Sequence, residues 1–166
     1  MLPRRGPGEN DRTTYDGSGH RRYAASVSAQ PREDYATTPL PTKLGIREGS
    51  RVLVIGAPEG FSLGRLPSGV ELLRRRRAGI DVVLLFVTRE AALRRRFDAQ
   101  AGALAPAGRL WVAWPKKAAR IDTDLTFERV QAVGLRAGLV DNKSASITEA
   151  FQGLQFVVRL RDRPGR

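Results

Sequence analysis

Residues 51–60, Arg-Val-Leu-Val-Ile-Gly-Ala-Pro-Glu-Gly, decide the fold class of this 166-residue chain. The uninterrupted apolar run from Val52 to Ile55 predicts a strand buried on both faces, which is typical of a central strand in a parallel sheet. That strand leads into a loop bounded by Gly56 and Gly60. Ligands of open α/β sheets bind at the carboxyl ends of the parallel strands. The loop is therefore the first candidate for a binding site.

Three further apolar stretches predict the remaining central strands. Residues 70–73 indicate a weak strand, whereas residues 81–87 and 110–114 are nearly continuous apolar runs and indicate strands covered on both faces. Only residues 56–80 separate the first strong strand from the second. A complete doubly wound half would place two more strands and their crossover helices there, and each crossover needs about a dozen residues or more. The sequence therefore predicts a truncated α/β sheet.

Two amphipathic stretches predict helices that flank this sheet. The first helix is expected over residues 88–105, with Thr88 as its N-cap and one apolar stripe toward the sheet. That stripe consists of Leu93, Phe97, Ala101 and Leu104. The second helix is expected over residues 126–137, where Gly138 ends it. Helices of this kind are expected to form a layer against a parallel sheet.

The end of the chain predicts an antiparallel hairpin. Residues 144–148 and 154–160 are two strand-like stretches, and the turn between them is expected to contain Gly153. In the second stretch one face carries only apolar residues, and the other carries Gln155, Val157 and Arg159. The second face should therefore be less buried than the first. The hairpin would extend the parallel sheet with antiparallel strands.

Composition divides the chain into three parts. Residues 1–36 are rich in Gly, Pro, Ser, Thr and Arg without periodicity, which predicts a disordered basic and polar leader. Residues 37–161 are expected to form a single α/β domain, and residues 162–166 a frayed basic tail. The first residues lack the apolar segment of a secretory signal, and no apolar run approaches the roughly 20 residues that span a bilayer. We therefore expect a cytoplasmic protein that does not enter a membrane.

The chain is strongly basic and poor in catalytic side chains. Lys and Arg number 29 against 17 Asp and Glu, which gives a formal net charge of +12, with a single His and no Cys. This composition excludes disulfides, a cysteine nucleophile and a histidine metal cluster, so neither a metal site nor a catalytic residue is predicted. Positive charge attracts polyanions, which favours weak nonspecific nucleic-acid binding or a small anionic ligand, although genomic base composition explains the arginine excess equally well. The partner stays unknown.

Two resemblances follow from these segments. Residues 52–60, the strand entry Asp81-Val82-Val83 and residues 104–110 are similar to landmarks of class I S-adenosylmethionine-dependent methyltransferases. Residues 38–161 also resemble the bacterial family catalogued as domain of unknown function 3052. The segments that carry this second resemblance are Lys43-Leu44-Gly45-Ile46, Gly56-Ala57-Pro58-Glu59-Gly60-Phe61, Trp111-Val112-Ala113-Trp114-Pro115-Lys116-Lys117 and Gly138-Leu139-Val140-Asp141-Asn142-Lys143. The resemblances imply a truncated Rossmann-like, methyltransferase-like, mostly parallel sheet with flanking helices and a C-terminal antiparallel hairpin.

The chain departs from the methyltransferase pattern at the positions that hold the cofactor. Pro58 stands where the glycine loop has its second glycine, and Val54 stands where the first strand carries an acid. Arginines 74–77 follow the strand that would end in an acid for the ribose hydroxyls. We therefore expect no cofactor, with S-adenosylmethionine and nucleotides disfavoured, and a binding or regulatory role without catalysis. The alternatives are a small S-adenosylmethionine- or nucleotide-binding enzyme and a nucleic-acid-associated basic protein.

The remaining site prediction is a ligand-binding edge at the carboxyl ends of the parallel strands. Its candidate residues share that location and are Gly56, Pro58, Glu59, Gly60, Arg89, Trp114, Lys116 and Lys117. Here the lysines would bind a phosphate by charge, and an exposed tryptophan would stack on a base. The alternative interpretation packs Trp111 or Trp114 in the core and leaves both lysines in solvent.

Overall fold

A computed structural model describes residues 38–164, and the structural statements below refer to that part of the chain. The predicted leader, residues 1–36, lies outside the described residues, as do residues 165 and 166 of the predicted tail. From Thr38 onward the chain forms one compact unit. Within the described part, no helix combines the length and the apolar character needed to cross a membrane.

Between residues 38 and 164 the chain forms three α-helices and a six-stranded sheet. The helices are α1 (Leu40–Leu44), α2 (Glu90–Gly102) and α3 (Phe127–Arg136). The strands are β1 (Arg51–Ile55), β2 (Glu71–Leu73), β3 (Ile80–Phe86), β4 (Leu104–Pro115), β5 (Leu139–Ser146) and β6 (Phe151–Val158). Short 3-10 turns lie at Lys117–Ala119 and Leu160–Asp162.

The strand order of the sheet is β2-β1-β3-β4-β6-β5. Strands β2, β1, β3 and β4 run parallel to one another, whereas β6 is antiparallel to both β4 and β5. The described residues between β1 and β3 contain only β2 and loops, so this half of the sheet lacks crossover helices, as the short sequence spacing predicts. The predicted fold class, a truncated Rossmann-like sheet with a C-terminal antiparallel pair, is confirmed.

One face of the sheet packs against α2 and α3. Apolar residues of the strands and helices form this layer, namely Leu53, Val83, Leu85, Leu93, Phe97, Leu110, Val112, Trp114, Val130, Val133, Leu154 and Phe156 among others. The rings of Phe97 and Phe156 meet edge to face with centroids 5.4 Å apart. Because the apolar residues of β3 alternate between this layer and the opposite one, the strand is buried on both faces, as its continuous apolar run predicts.

The opposite face, called the α1 face below, is covered by α1 and by the chain between β1 and β2. Leu44 and Ile46 pack on Trp111 and Val82, and the indole Nε1 of Trp111 donates a hydrogen bond of 3.1 Å to the carbonyl oxygen of Leu44. This bond satisfies the polar atom of a fully buried tryptophan. Strand β5 is mostly half-buried, whereas β6 is buried except at Gln152, Val157 and Val158.

The first predicted helix is wrong at both ends. Helix α2 begins at Glu90 with Arg89 as its N-cap, so Thr88 does not cap it. A capping group comes instead from a distant loop, because Asp124 Oδ1 accepts a 2.8 Å hydrogen bond from the backbone nitrogen of Glu90. The helix ends at Gly102, and Leu104 starts β4 by pairing with Ile80. Strand pairing with β3 thus overrides the helical spacing at the end of the apolar stripe.

The predicted C-terminal hairpin is present, but its turn lies elsewhere. The turn occupies residues 147–150, and Gly153 is inside β6, opposite Ala113 of β4 and Ala145 of β5. A Cβ at position 153 would stand 2.7 Å from Ile147 Cδ1. Glycine therefore serves close packing within the sheet here, and not chain reversal.

The second predicted helix is confirmed with bounds one residue shorter at each end. Helix α3 covers Phe127–Arg136, and its N-cap Thr126 accepts a hydrogen bond of 3.2 Å from the backbone nitrogen of Arg129. Inside the helix, Gly134 lies against the ring of Phe156. This contact lets α3 approach the sheet more closely than a residue with a side chain would allow.

Candidate functional site

The carboxyl ends of β1, β3 and β4 meet at one edge of the sheet because these strands are parallel. Gly56, the first residue after β1, has a φ of 72°. A Cβ at this position would stand 2.9 Å from the carbonyl oxygen of Phe86, the last residue of β3. Two features therefore require glycine at this position, namely the positive φ and the close approach of the next strand.

The loop that follows Gly56 is exposed at the sheet edge. Residues 57–60, Ala-Pro-Glu-Gly, are all solvent-exposed, and Gly60 has a φ of 83° with open space where a Cβ would project. The loop closes on a turn in which Phe61 donates its backbone N–H to Pro58 at 3.1 Å. The ring of Phe61 packs edge to face on Phe86 at 5.0 Å. The loop is thus anchored at both ends, while its middle faces solvent.

A second segment of the edge joins the predicted Arg89 to Asp122, Thr123 and Asp124, which the sequence does not single out. Arg89 forms an ion pair with Asp122, and Thr123 Oγ1 donates a 2.7 Å hydrogen bond to the carbonyl oxygen of Thr88. The same hydroxyl accepts a hydrogen bond of 3.1 Å from the backbone nitrogen of Leu125. The signal for this segment is the run Asp122-Thr123-Asp124, three short polar residues shortly before a helix.

The edge does not bring all of the predicted residues to its surface. Trp114 is only 2% exposed and packs in the layer beneath α2 and α3, so its ring does not face a ligand at the surface. The side chain of Lys116 is half-buried, and its Nζ donates a 2.8 Å hydrogen bond to Ser146 Oγ. Lys117 is exposed at the start of a 3-10 turn. Glu59 lies exposed in the loop on the other side of the edge.

Lys116 has an unusual electrostatic environment for a surface lysine. Burial lowers the pKa of Lys116 from its ordinary value, and the positive charge of Lys43 lowers the pKa further. The carboxylate of Glu149 opposes both effects. Its ammonium is therefore held by Ser146 in a place where positive charge is disfavoured, and an anion arriving at this edge would be attracted to it.

The end of β2 is basic in the structure, as the sequence indicates. Arg74 to Arg77 are exposed, and Arg77 pairs with Glu71 at 2.6 Å. Arg51 also approaches Glu71, at 3.6 Å. The position at which the methyltransferase resemblance implies an acid for ribose hydroxyls therefore carries cations. Across the described residues, no group of three or more His, Cys, Asp or Glu side chains is placed to hold a metal.

The chain resembles solved structures of methyltransferases in its fold. It matches an S-adenosylmethionine-dependent O-methyltransferase from Thermotoga maritima with a TM-score of 0.51 and 12% sequence identity, covering 84% of this chain and 70% of that chain. It matches the pyocyanin biosynthetic protein PhzM with a TM-score of 0.51 and 16% identity, covering 77% of this chain and 56% of that chain. An S-adenosylmethionine-dependent methyltransferase from Aquifex aeolicus matches with a TM-score of 0.47 and 14% identity, covering 71% of this chain and 87% of that chain.

No family model and no curated protein matches this chain, so the resemblance to the domain of unknown function 3052 family is not confirmed. The similarity in fold to the S-adenosylmethionine-dependent O-methyltransferase from Thermotoga maritima contradicts the expectation of no cofactor. That expectation rested on single positions such as Pro58 and Val54. The fold of this chain is methyltransferase-like.

Proposed function

We propose that this chain is an S-adenosylmethionine-binding domain whose site is the loop of residues 56–60 at the carboxyl edge of the sheet. The observation that carries the proposal is the geometry of Gly56. Its positive φ and its contact with the Phe86 carbonyl fix the start of the loop across the ends of two parallel strands. In open α/β sheets, that crevice is where cofactors bind.

The residues of the edge fit such a ligand in part. The exposed backbone between Gly56 and Gly60 permits close approach, which is the role of glycine in cofactor loops. Glu59 is the exposed carboxylate in this loop and has the chemistry to accept hydrogen bonds from ribose hydroxyls. Lys116 and Lys117 have the chemistry to bind the carboxylate of the methionine moiety. When bound, S-adenosylmethionine supplies an activated methyl group on its sulfonium.

The chain's own contribution is to position and enclose the ligand. The ion pair of Arg89 with Asp122 and the bond from Thr123 to Thr88 hold the segment after β4 beside the end of β3. These contacts pre-form one wall of the edge, so that little ordering accompanies binding. The expectation of a binding or regulatory role without catalysis gains no support from the similar structures, which favour the alternative of a small S-adenosylmethionine-binding protein.

A thermal-shift experiment tests the proposal on the intact protein. S-adenosylmethionine, S-adenosylhomocysteine, ATP and adenosine are each added at the same concentration, because a ligand at about 100 times its Kd stabilises the native state by about 2.7 kcal/mol. We expect the first two compounds to raise Tm by several degrees and the last two to raise it less. An equal response to ATP, or no response to S-adenosylmethionine, would contradict the proposed cofactor.

A second candidate function is nonspecific binding of nucleic acid, and exposed arginines favour it. Arg74, Arg75 and Arg76 follow β2, and Arg95 and Arg96 lie on the outer surface of α2. Within residues 38–164, these arginines take part in no ion pair with a carboxylate. Binding of this kind should fall steeply as salt rises, because it depends on counterion release from phosphates. Filter binding of unrelated DNA and RNA from 50 to 300 mM salt, about the range over which such binding weakens, measures this dependence.

A further inference from the structure

We propose a second ligand site on the α1 face of the sheet, at the amino end of β4, where Arg47, Arg109, Lys143 and Arg163 together bind the phosphate group of a small phosphorylated ligand. This site is separate from the carboxyl edge, since Arg109 lies at the start of the regular part of β4 and the edge lies beyond its last residue, Pro115. It does not depend on S-adenosylmethionine binding.

Arg109 is the centre of this cluster. It is two residues before Trp111 in the same strand and therefore points to the same face, where Trp111 packs on Leu44. The Arg109 side chain lies directly over Gly45, because a Cβ at position 45 would stand 2.9 Å from its Nε. Its partner across the sheet is Val157 of β6. The guanidinium is thus half-buried between the end of α1 and the sheet.

Lys143 reaches the same face from the edge strand β5. It pairs with Gln155 of β6, which in turn pairs with Trp111. The register shifts between Asp141 and Lys143, so that Asn142 is an additional residue in β5. Lys143 stands opposite Gln155 after this shift and therefore lies on the α1 face. The half-buried ammonium therefore lies on the same side of the sheet as Arg109.

Within residues 38–164, no carboxylate forms an ion pair with any of the four cations of this cluster, and Arg163 uses its Nε to donate to the carbonyl oxygen of Val158. Other arginines without an ion pair in this part of the chain, such as Arg74 and Arg95, are exposed to solvent, whereas Arg109, Lys143 and Arg163 are half-buried. An unpaired, partly buried group of like charges is unfavourable unless an anion joins it.

The mutual influence of these charges supports their proximity. Burial lowers the pKa of Arg109, and the positive charges of Arg47 and Arg163 lower it further. Burial also lowers the pKa of Lys143, with Arg109 as the next cause. Arg47 and Arg163 therefore repel Arg109, and Arg109 repels Lys143, so a multivalent anion beside Arg109 would relieve this repulsion.

A buried acceptor beside Lys143 is also incompletely satisfied. Gln155 is 2% exposed, and its Nε2 donates a 2.7 Å hydrogen bond to Asn142 Oδ1. Its Oε1 has no hydrogen-bond partner. A cation without an anion and a buried acceptor without a donor thus occupy paired positions of β5 and β6. Native proteins satisfy nearly all such groups. Because Oε1 is an acceptor and needs a donor, it marks a polar place beside Lys143 but does not itself bind an anion.

The chemistry of the cluster favours a small phosphorylated ligand over a nucleic acid. Guanidinium groups bind phosphate oxygens through paired hydrogen bonds, which Arg109 and Arg47 can provide. Lys43 lowers the pKa of Lys116 at the carboxyl edge, and these two cations form a separate group. Large exposed side chains in the described part are aliphatic, so the face offers no exposed ring on which a base would stack.

Calorimetric titration of inorganic pyrophosphate into the full chain at constant ionic strength tests this site. We expect saturable binding that Arg109→Gln and Lys143→Gln each weaken by about tenfold or more, because each removes a charged hydrogen-bond donor. Arg95→Gln is the matched control, since it removes the same charge from an exposed position on α2. It should change the affinity by less than about twofold, in line with the weak effect of exposed charges.

Three results would overturn the proposal. The first is the absence of saturable pyrophosphate binding, and the second is an equal loss of pyrophosphate affinity in all three variants. The third is that a single-stranded DNA oligonucleotide binds more tightly than pyrophosphate and that Arg95→Gln weakens this binding as much as Arg109→Gln does. Circular dichroism checks that each variant is folded. If Arg109→Gln fails to fold, Lys143→Gln tests the site, because Lys143 is at a half-buried position on the edge strand. The variant Gly60→Ala should leave pyrophosphate affinity unchanged, which separates this site from the carboxyl edge.

Discussion

Gly56 lies against the backbone carbonyl oxygen of Phe86, at a distance that leaves no room for a side chain: a Cβ at position 56 would stand 2.9 Å from that oxygen. The contact joins the residue after β1 to the last residue of β3. Both atoms belong to the backbone, so neither side can move without displacing a central strand. The start of the exposed loop is thereby fixed at the sheet edge.

The substitution Gly56→Ala should destabilise the domain more than an ordinary glycine replacement. The left-handed conformation costs about 1–2 kcal/mol for an L-residue, and overpacking against the Phe86 carbonyl adds about 1–3 kcal/mol. Gly49→Ala is the matched control, because Gly49 has a φ of 75° and open space around its Cβ position. Urea unfolding should give a clearly larger loss for Gly56→Ala. Equal losses would mean that the contact with Phe86 does not constrain the loop.

Alanine should have opposite effects at two helical glycines. At Gly134 a Cβ would overlap the Phe156 ring, with Cζ at 2.6 Å, and that ring is held edge to face by Phe97. We expect Gly134→Ala to destabilise by about 1–3 kcal/mol. Gly102→Ala, in α2 with open space at the Cβ position, should be neutral or stabilise by up to about 1 kcal/mol. A stabilising Gly134→Ala, measured by thermal unfolding, would contradict the close packing of α3.

Asp124 should stabilise α2 from outside the helix. Its carboxylate accepts a hydrogen bond from the Glu90 nitrogen at the helix start, where the side chain of the N-cap Arg89 makes no such bond. Asp124→Ala should cost about 1 kcal/mol, as the loss of a capping group does. Asp124→Asn keeps an acceptor and should cost less. Denaturant unfolding that ranks the two variants the other way would exclude this capping role.

The pKa of Lys116 should respond to two neighbours in opposite directions. Since burial and Lys43 lower it, Lys43→Gln should raise the pKa, and Glu149→Gln should lower it further. Between the lowered pKa and the ordinary value of 10.5, the unfolded state binds more protons, so the contribution of Lys116 to stability increases as pH rises through that window. NMR titration of the Lys116 ε-methylene measures the shift. An unchanged pKa in Lys43→Gln would contradict the proximity of the two ammonium groups.

The sequence predicts the parallel part of the sheet well because its signal is local. Val52, Leu53 and residues 82–87 are buried by tertiary packing that any parallel arrangement would provide, and Val54 and Ile55 are half-buried. The sequence-based prediction fails at Leu104 and Gly153, where pairing with distant strands determines the secondary structure. Leu104 fits a helical stripe equally well, and Gly153 fits a turn equally well. Only the partners Ile80 and Ala113 assign both residues to strands.

The candidate site is predictable only in its location. Parallel strands place Gly56, Arg89 and Lys116 at one edge, which the spacing of the apolar runs indicates. The sequence leaves Trp114 between a stacking surface and the core, and the structure places it in the core, as the alternative interpretation has it. Which layer it joins is not predictable, because alternation along a strand covered on both faces does not distinguish the layers. The roles of Asp122 and Asp124 depend on contacts with residues more than thirty positions away. No local pattern encodes such contacts.

Calorimetric titration of S-adenosylmethionine into the intact protein, Gly60→Ala and Gly49→Ala tests the proposed function most directly. Both glycines have positive φ and open space at the Cβ position, so both variants should lose similar stability. Only the Cβ at position 60 would project from the exposed loop into the proposed site. We expect saturable binding to the intact protein and to Gly49→Ala, with markedly weaker binding to Gly60→Ala. No saturable binding to the intact protein, or an equal affinity in all three, would contradict S-adenosylmethionine binding at this edge.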